Sequence, residues 1–217
     1  MSREIYAGVS GASAAWMQLD LVSNNLANMS TTGFKASKIA FQVAKPAGAQ
    51  GVLAESYVES QDSKPDMSDG PLKKTGAPLD LALQGRGFFS VQAQDGRELL
   101  TRSGHFRLDS EGFVENMDGM KLMSSAGPVQ VPRGETLQIG EMGQIVGSSS
   151  GLLGTLKVVD GDVKQLGQTL WESKGPTVDV LEAQLGGDTK VAVYQGHLED
   201  SNVNPLAAMV ELVEASR

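Results

Sequence analysis

The sequence contains no cysteine, which excludes disulfides, thiolate zinc sites, iron–sulfur clusters and a cysteine nucleophile. Its only histidines are His105 and His197, and aromatic residues make up just 5% of the chain. No apolar run approaches the ~18 residues of a membrane-spanning helix, so direct membrane insertion is not expected. Basic residues are in the minority. The 18 Lys and Arg face 26 Asp and Glu, giving a formal charge of −8 and a pI near 4.8, which argues against a general electrostatic hold on nucleic acid or anionic lipid. The opening Met1-Ser2-Arg3-Glu4-Ile5-Tyr6 lacks a basic stretch leading into an apolar one, so no cleaved secretory signal is expected. What is present suffices for a packed core: 217 residues, 40% of them apolar, with 26 glycines that follow no collagen-like period.

The patterning reads as helix, β-rich middle, helix. From Ile5 to Met29 no proline intervenes, and Ile5, Ala12, Leu19 and Leu26 recur every seven residues. Gly8, Ala15, Val22 and Met29 follow each of them by three, which makes a narrow apolar seam along one side of a helix. Gly8 and Gly11 each cost roughly 1 kcal/mol against alanine, so this helix is weak by itself. At the other end Asn204 suits an N-cap and Pro205 the first helical position. Val203, Leu206, Val210 and Val213 then continue a second seam, which reaches Arg217 without a glycine stop and reads as a helix cut short. Between the ends, period-two alternation and turn residues take over. Leu79 to Leu83 alternates strictly, Val52 to Ser60 loosely, and Phe88–Gln94 with Arg97–Arg102 reads as a hairpin closed by Asp95-Gly96 in a type I′ turn. Gly147-Ser148-Ser149-Ser150-Gly151 reads as a flexible loop. Phe88, Phe89, Leu99, Phe106 and Leu108 are the expected core. The resulting division is an N-terminal helix over residues 1–34, a connector over 35–69, an antiparallel β domain over 70–196 and a C-terminal helix over 197–217 (estimated from turn spacing).

Catalytic arrangements are few and weak. His105 lies in a predicted strand with no acid or hydroxyl at a diagnostic spacing, and reads as a surface or hydrogen-bonded strand residue. His197 ahead of Glu199 and Asp200 is a poor metal set. Gly8-Val9-Ser10-Gly11 lacks the final glycine and the preceding strand of a nucleophile elbow. Gly85-Arg86-Gly87 is too short for a phosphate fingerprint, and Asp62 to Gly70 lacks calcium-loop spacing. No catalytic residue, metal site or cofactor is expected.

A more specific segment closes the first helix. Asn24 and Asn28 share a helical face with Asn25 beside them, and such amides suit hydrogen bonds to neighbouring helices where a charge would be hard to bury. Gly33 can then turn the chain. The run Asn24-Asn25-Leu26-Ala27-Asn28, with Thr31-Thr32-Gly33-Phe34-Lys35, resembles the N-terminal signature of bacterial flagellar rod and hook proteins. Pro78 to Phe89 and Thr101 to Phe106, continuing to Gly112-Phe113-Val114, resemble the β motifs of that family. Leu198-Glu199-Asp200-Ser201-Asn202-Val203-Asn204-Pro205, with Met209-Val210, resembles its C-terminal motif. The opening Ile5-Tyr6 and the Ser201 to Pro205 form lean towards the proximal-rod branch, with the distal-rod branch as the alternative.

The resemblance implies a structural subunit exported by the flagellar type III apparatus and placed in the periplasmic rod of the basal body. Its terminal helices would pair as a coiled coil on assembly, and its partners would be further copies of itself and other axial proteins. The implied assembly surface comprises Ile5, Ala12, Leu19, Val22, Asn24, Asn25, Leu26, Asn28, Val203, Leu206, Val210 and Val213. From another class, a β-rich cell-surface binding module shares the composition but has no need of paired terminal seams.

Overall fold

A computed structural model describes residues 2–38, 41–44, 57–60, 64–183 and 191–215. The protein is mainly β, with a helix near each end: α1 (Ser2–Ala27), a single turn α2 (Val180–Ala183) and α3 (Pro205–Ala215). It divides into two units. One gathers residues 1–29, 36–66 and 203–217, and the other residues 30–35 and 67–202.

The first unit is built on the helices. α1 stops where Asn28 turns back on the helix, its backbone N–H and side-chain Nδ2 both donating to the Asn24 carbonyl, at 3.1 and 2.9 Å. α3 starts as expected, with Asn204 Oδ1 accepting the N–H groups of Leu206 and Ala207 at 3.1 and 3.2 Å and Pro205 in the position where no N–H is needed. α1 and α3 touch each other, and α1 also touches the strand Tyr57–Ser60. Two short antiparallel pairs lie within residues 35–69: Ser37–Lys38 with Lys64–Pro65, and Phe41–Ala44 with Tyr57–Ser60. Val52 to Ser56, the first part of the loosely alternating stretch, lie outside the described residues.

The second unit is the β body, and its recorded strand pairings are antiparallel. Its main sheet runs Val163–Gln165, Leu170–Ser173, Glu98–Thr101, Phe88–Gln92, Lys121–Ser124, Val114–Asn116, Phe106–Leu108. Val158–Asp160 also pairs with Phe88–Gln92. The main core collects Leu81, Leu83, Phe89, Val91, Leu99 and Phe106 with twelve further buried apolar residues. A smaller one holds Phe88, Leu100, Val159, Val163 and Trp171. Four of the five expected core residues are buried. Leu108 is exposed, because it ends the edge strand of the sheet, where no further strand covers it.

The Asp95-Gly96 hairpin forms between Phe88–Gln92 and Glu98–Thr101, with a different turn from the one expected. A type I′ turn needs positive φ at both central residues. Here Gly96 has φ +86° while among the described residues no non-glycine has positive φ, and Ala93 N–H donates to Arg97 O across a wider loop. The serine-rich segment before Gly151 is likewise a hairpin turn. It is pinned by Glu135, whose Oε1 accepts the Ser150 hydroxyl at 2.6 Å. A three-stranded sheet of Leu137–Ile139, Gln144–Gly147 and Gly151–Thr155 completes this unit. The outer edge of Leu137–Ile139 is met by one side chain: Gln195 Nε2 donates to Leu137 O at 2.9 Å, and Ile139 N–H donates to Gln195 Oε1 at 3.1 Å.

Candidate functional site: terminal helices and a buried ionic node

The expected assembly residues separate into those the chain uses internally and those it leaves outside. On α1, Val22 is buried, Leu19 and Leu26 are half-buried and Ala12 is exposed. The side chain of Ile5 lies outside the described residues. On α3 the more buried side carries Ala208, which is buried, with Leu212 and Ala215 half-buried. Val203, just before α3, is half-buried. Leu206, at 76% exposure, Met209, Val210 and Val213 are all exposed. Their i, i+3, i+4, i+7 spacing makes one continuous apolar stripe. Val9 and Trp16, the latter 74% exposed, lie seven residues apart on the outside of α1. Large apolar side chains aligned in this way mark a surface that gains by being covered.

The asparagines do different work. Asn24 is exposed and Asn28 is buried at the helix end. Asn25 uses both ends of its amide within the chain: Nδ2 donates to Ser37 O, and Ser37 N–H donates to Oδ1, each at 3.0 Å. This pair holds the strand Ser37–Lys38 beside α1, where the sequence pointed to a neighbouring helix.

Three of the family-like motifs each contribute one charged residue to a single buried cluster. Lys35, Arg102 and Glu199 are at most 1% exposed. Lys35 Nζ donates to Glu199 Oε1 at 2.6 Å and to Ser68 O at 2.7 Å. Arg102 Nε donates to Glu199 Oε2 at 2.8 Å. The rest of the guanidinium donates to the carbonyls of Gly87, Gly85 and Leu83 and reaches Asp69 Oδ1 at 3.4 Å. Gly70 N–H donates to Glu199 Oε1 at 2.9 Å, and Gly33 N–H donates to Glu199 O at 2.7 Å. Gly33 has φ +71°, and a Cβ there would lie 2.4 Å from the Arg102 backbone, so only glycine fits. Burial, followed by the Arg102 guanidinium, holds the Lys35 ammonium below its ordinary pKa of 10.5, while Glu199 pulls the other way. Two cations and one buried carboxylate, with Asp69 at the rim, form a satisfied network in which each partner is needed. Sequence reasoning quoted all three motifs without seeing this cluster. The available signal was slight: Lys35 stands between Phe34 and Ala36 and Arg102 between Thr101 and Ser103, whereas Glu199 is followed by a second acid, Asp200.

The histidines hold structural positions. His105 is exposed, with Nδ1 2.7 Å from Asp80 Oδ1, and the other Asp80 oxygen accepts the Thr75 hydroxyl at 2.6 Å. His197 Nδ1 lies 2.9 Å from Gln195 O. Among the described residues no group of three His, Cys, Asp or Glu is placed to hold a metal ion, and no helix is long and apolar enough to cross a membrane.

A helix near each end of the chain, antiparallel strands in its middle and a buried cluster that draws one charge from each of three motifs agree with the resemblance to axial proteins. Comparison with known proteins agrees along the chain. Residues 5–35 match the family model described as flagella basal body rod protein. Residues 82–147 match the flagellar hook protein FlgE/F/G D1 domain, and residues 194–217 the flagellar basal body rod FlgEFG protein C-terminal model. The whole chain is 32% identical to the flagellar basal-body rod protein FlgF of Escherichia coli K12, covering 90% of that protein. It is also 32% identical to FlgF of Caulobacter vibrioides, covering 89%. With the flagellar basal-body rod protein FlgG of Buchnera aphidicola from Acyrthosiphon pisum it shares 28% identity, covering 92%. The chain belongs to the flagellar basal-body rod protein family and is a structural subunit of the rod.

Proposed function

We propose that this chain is a proximal-rod subunit of the FlgF type, which polymerises through its terminal helices with copies of itself and with other axial proteins. The rod it helps to build crosses the periplasm and transmits torque, and the subunit reaches it through the flagellar type III export apparatus. The observation that carries the helical role is the exposed stripe of Leu206, Met209, Val210 and Val213 on α3, away from the side where Ala208 is buried. A charge in that stripe would have to be buried on assembly. Leu206→Asp with Val210→Asp should therefore abolish incorporation into hook–basal-body particles and stop swimming, while the β body still melts cooperatively. Normal swimming and normal incorporation of the variant would refute the helical role. The full-length match to FlgG supports a second reading, a distal-rod subunit. Complementation decides between them: the proximal reading expects motility restored in a strain lacking FlgF and not in one lacking FlgG.

A further inference from the structure

The chain passes between its two units four times, at residues 29–30, 35–36, 66–67 and 202–203. Each passage lies close in sequence to the buried node. Gly33 and Lys35 sit between the first two, Ser68 and Gly70 follow the third, and Glu199 precedes the fourth. Asn202, beside the fourth passage, donates through Nδ2 to Ser68 O at 3.1 Å, and its N–H reaches Phe34 O at 3.5 Å. Segments separated by well over a hundred residues in sequence are thus held by one carboxylate, whose two oxygens and main-chain carbonyl take Lys35, Arg102, Gly70 and Gly33.

We propose that Glu199 is a positioning residue that clasps the four chain passages together, so that α1 and α3 meet across a short closed loop. α1 ends at Ala27, six residues before Gly33, and α3 begins at Pro205, six after Glu199. With the clasp shut, pairing the two helices closes only about a dozen residues of chain. With it open, closure passes through more distant links such as Asn202 on Ser68, the loop lengthens, and each doubling disfavours closure about threefold. A buried ion pair suits this task. It adds little net stability compared with an apolar filling, yet it tolerates only the geometry in which every charge is matched.

The test is amide hydrogen exchange on the full-length monomer, comparing Glu199→Gln and Lys35→Met with the unaltered chain. Lys35→Met keeps the buried stem and leaves Arg102 matched to Glu199, so it is the milder change. In both variants the α1 and α3 amides should exchange several-fold faster, while amides of Phe88–Gln92 and Glu98–Thr101 keep their protection. Unchanged helix exchange in a variant whose β strands stay protected would overturn the clasp. Loss of β-strand protection in Lys35→Met would overturn it as well, by making the node a general stability element. The proposal rests on the fold alone, and the monomer measurement leaves the rod reading untouched if it fails.

Discussion

Phe89 lies wholly buried in the strand Phe88–Gln92, its ring set edge-on to Phe106 with centroids 5.7 Å apart. Replacing it by alanine removes both the transfer energy of the ring and its aromatic contact, and should cost about 3–5 kcal/mol in denaturant unfolding of the β body. A loss well under 1 kcal/mol would show that the core has another centre. Lys35 behaves differently because its burial acts on a proton. Its folded pKa lies below 10.5, so the unfolded chain holds more protons between that depressed value and 10.5. The Lys35 contribution to stability therefore rises with pH through this window and levels off above it. Stability curves of the unaltered chain and of Lys35→Met should diverge in that sense, with the unaltered chain gaining; a difference that falls as pH rises would contradict it. These two residues also divide what was legible from what was not. Phe89 was readable because a strand bounded by turn residues and carrying paired aromatics belongs inside a sheet protein. Lys35, Arg102 and Glu199 were not, because charged residues are solvent-facing by default and their meeting is made only by tertiary folding.

At the scale of elements, the ends of helices were easier to foresee than their faces. Asn204-Pro205 fixed the start of α3 by local chemistry alone. Which side of α3 turns inward depends on what covers it, and the inward side proved to be that of Ala208, Leu212 and Ala215 instead of the stripe from Leu206 to Val213. The asparagines are a similar case: residue type marked them as hydrogen-bonding groups, but only the fold shows that Asn25 holds the strand at Ser37. Asn25→Ala removes two hydrogen bonds that contribute about 0.5–1.5 kcal/mol each. It should therefore raise the exchange of the Ser37 amide at least several-fold while leaving that of Val91 unchanged. Equal exchange at Ser37 before and after the substitution would show that the pairing does not depend on this side chain. A wider loop forms at Asp95-Gly96 in place of the expected type I′ turn, because the choice between them depends on the register of Glu98–Thr101 against Phe88–Gln92, which the dipeptide does not encode.

For the whole molecule, the division into a helical unit and a β body predicts unequal stability. The β body holds both apolar cores, whereas in the helical unit the described side chains of Trp16, Leu206, Met209 and Val210 are exposed and Gly8 and Gly11 lie within α1. Exchange on the monomer should find α1 and α3 opening far more often than the β strands, and helices as protected as the strands would refute this. The overall plan, helices at the ends and antiparallel strands between, was legible from the switch between seven-residue and two-residue periods. The interleaving of residues 30–35 with the β body was not, because six residues with no apolar period carry no mark of the unit they join. Gln195 has a consequence at this scale too. Its amide meets both the Ile139 N–H and the Leu137 carbonyl on the outer edge of their strand. A sheet edge left open invites a strand from another chain. A rod subunit, packed among other rod components, meets that hazard at every neighbour. By carrying its own stopper, the sheet allows crowding without strand exchange: neighbours can touch without fusing into fibrils. Gln195→Ala should therefore leave the monomer folded but speed its conversion, at high concentration, into thioflavin-binding aggregates.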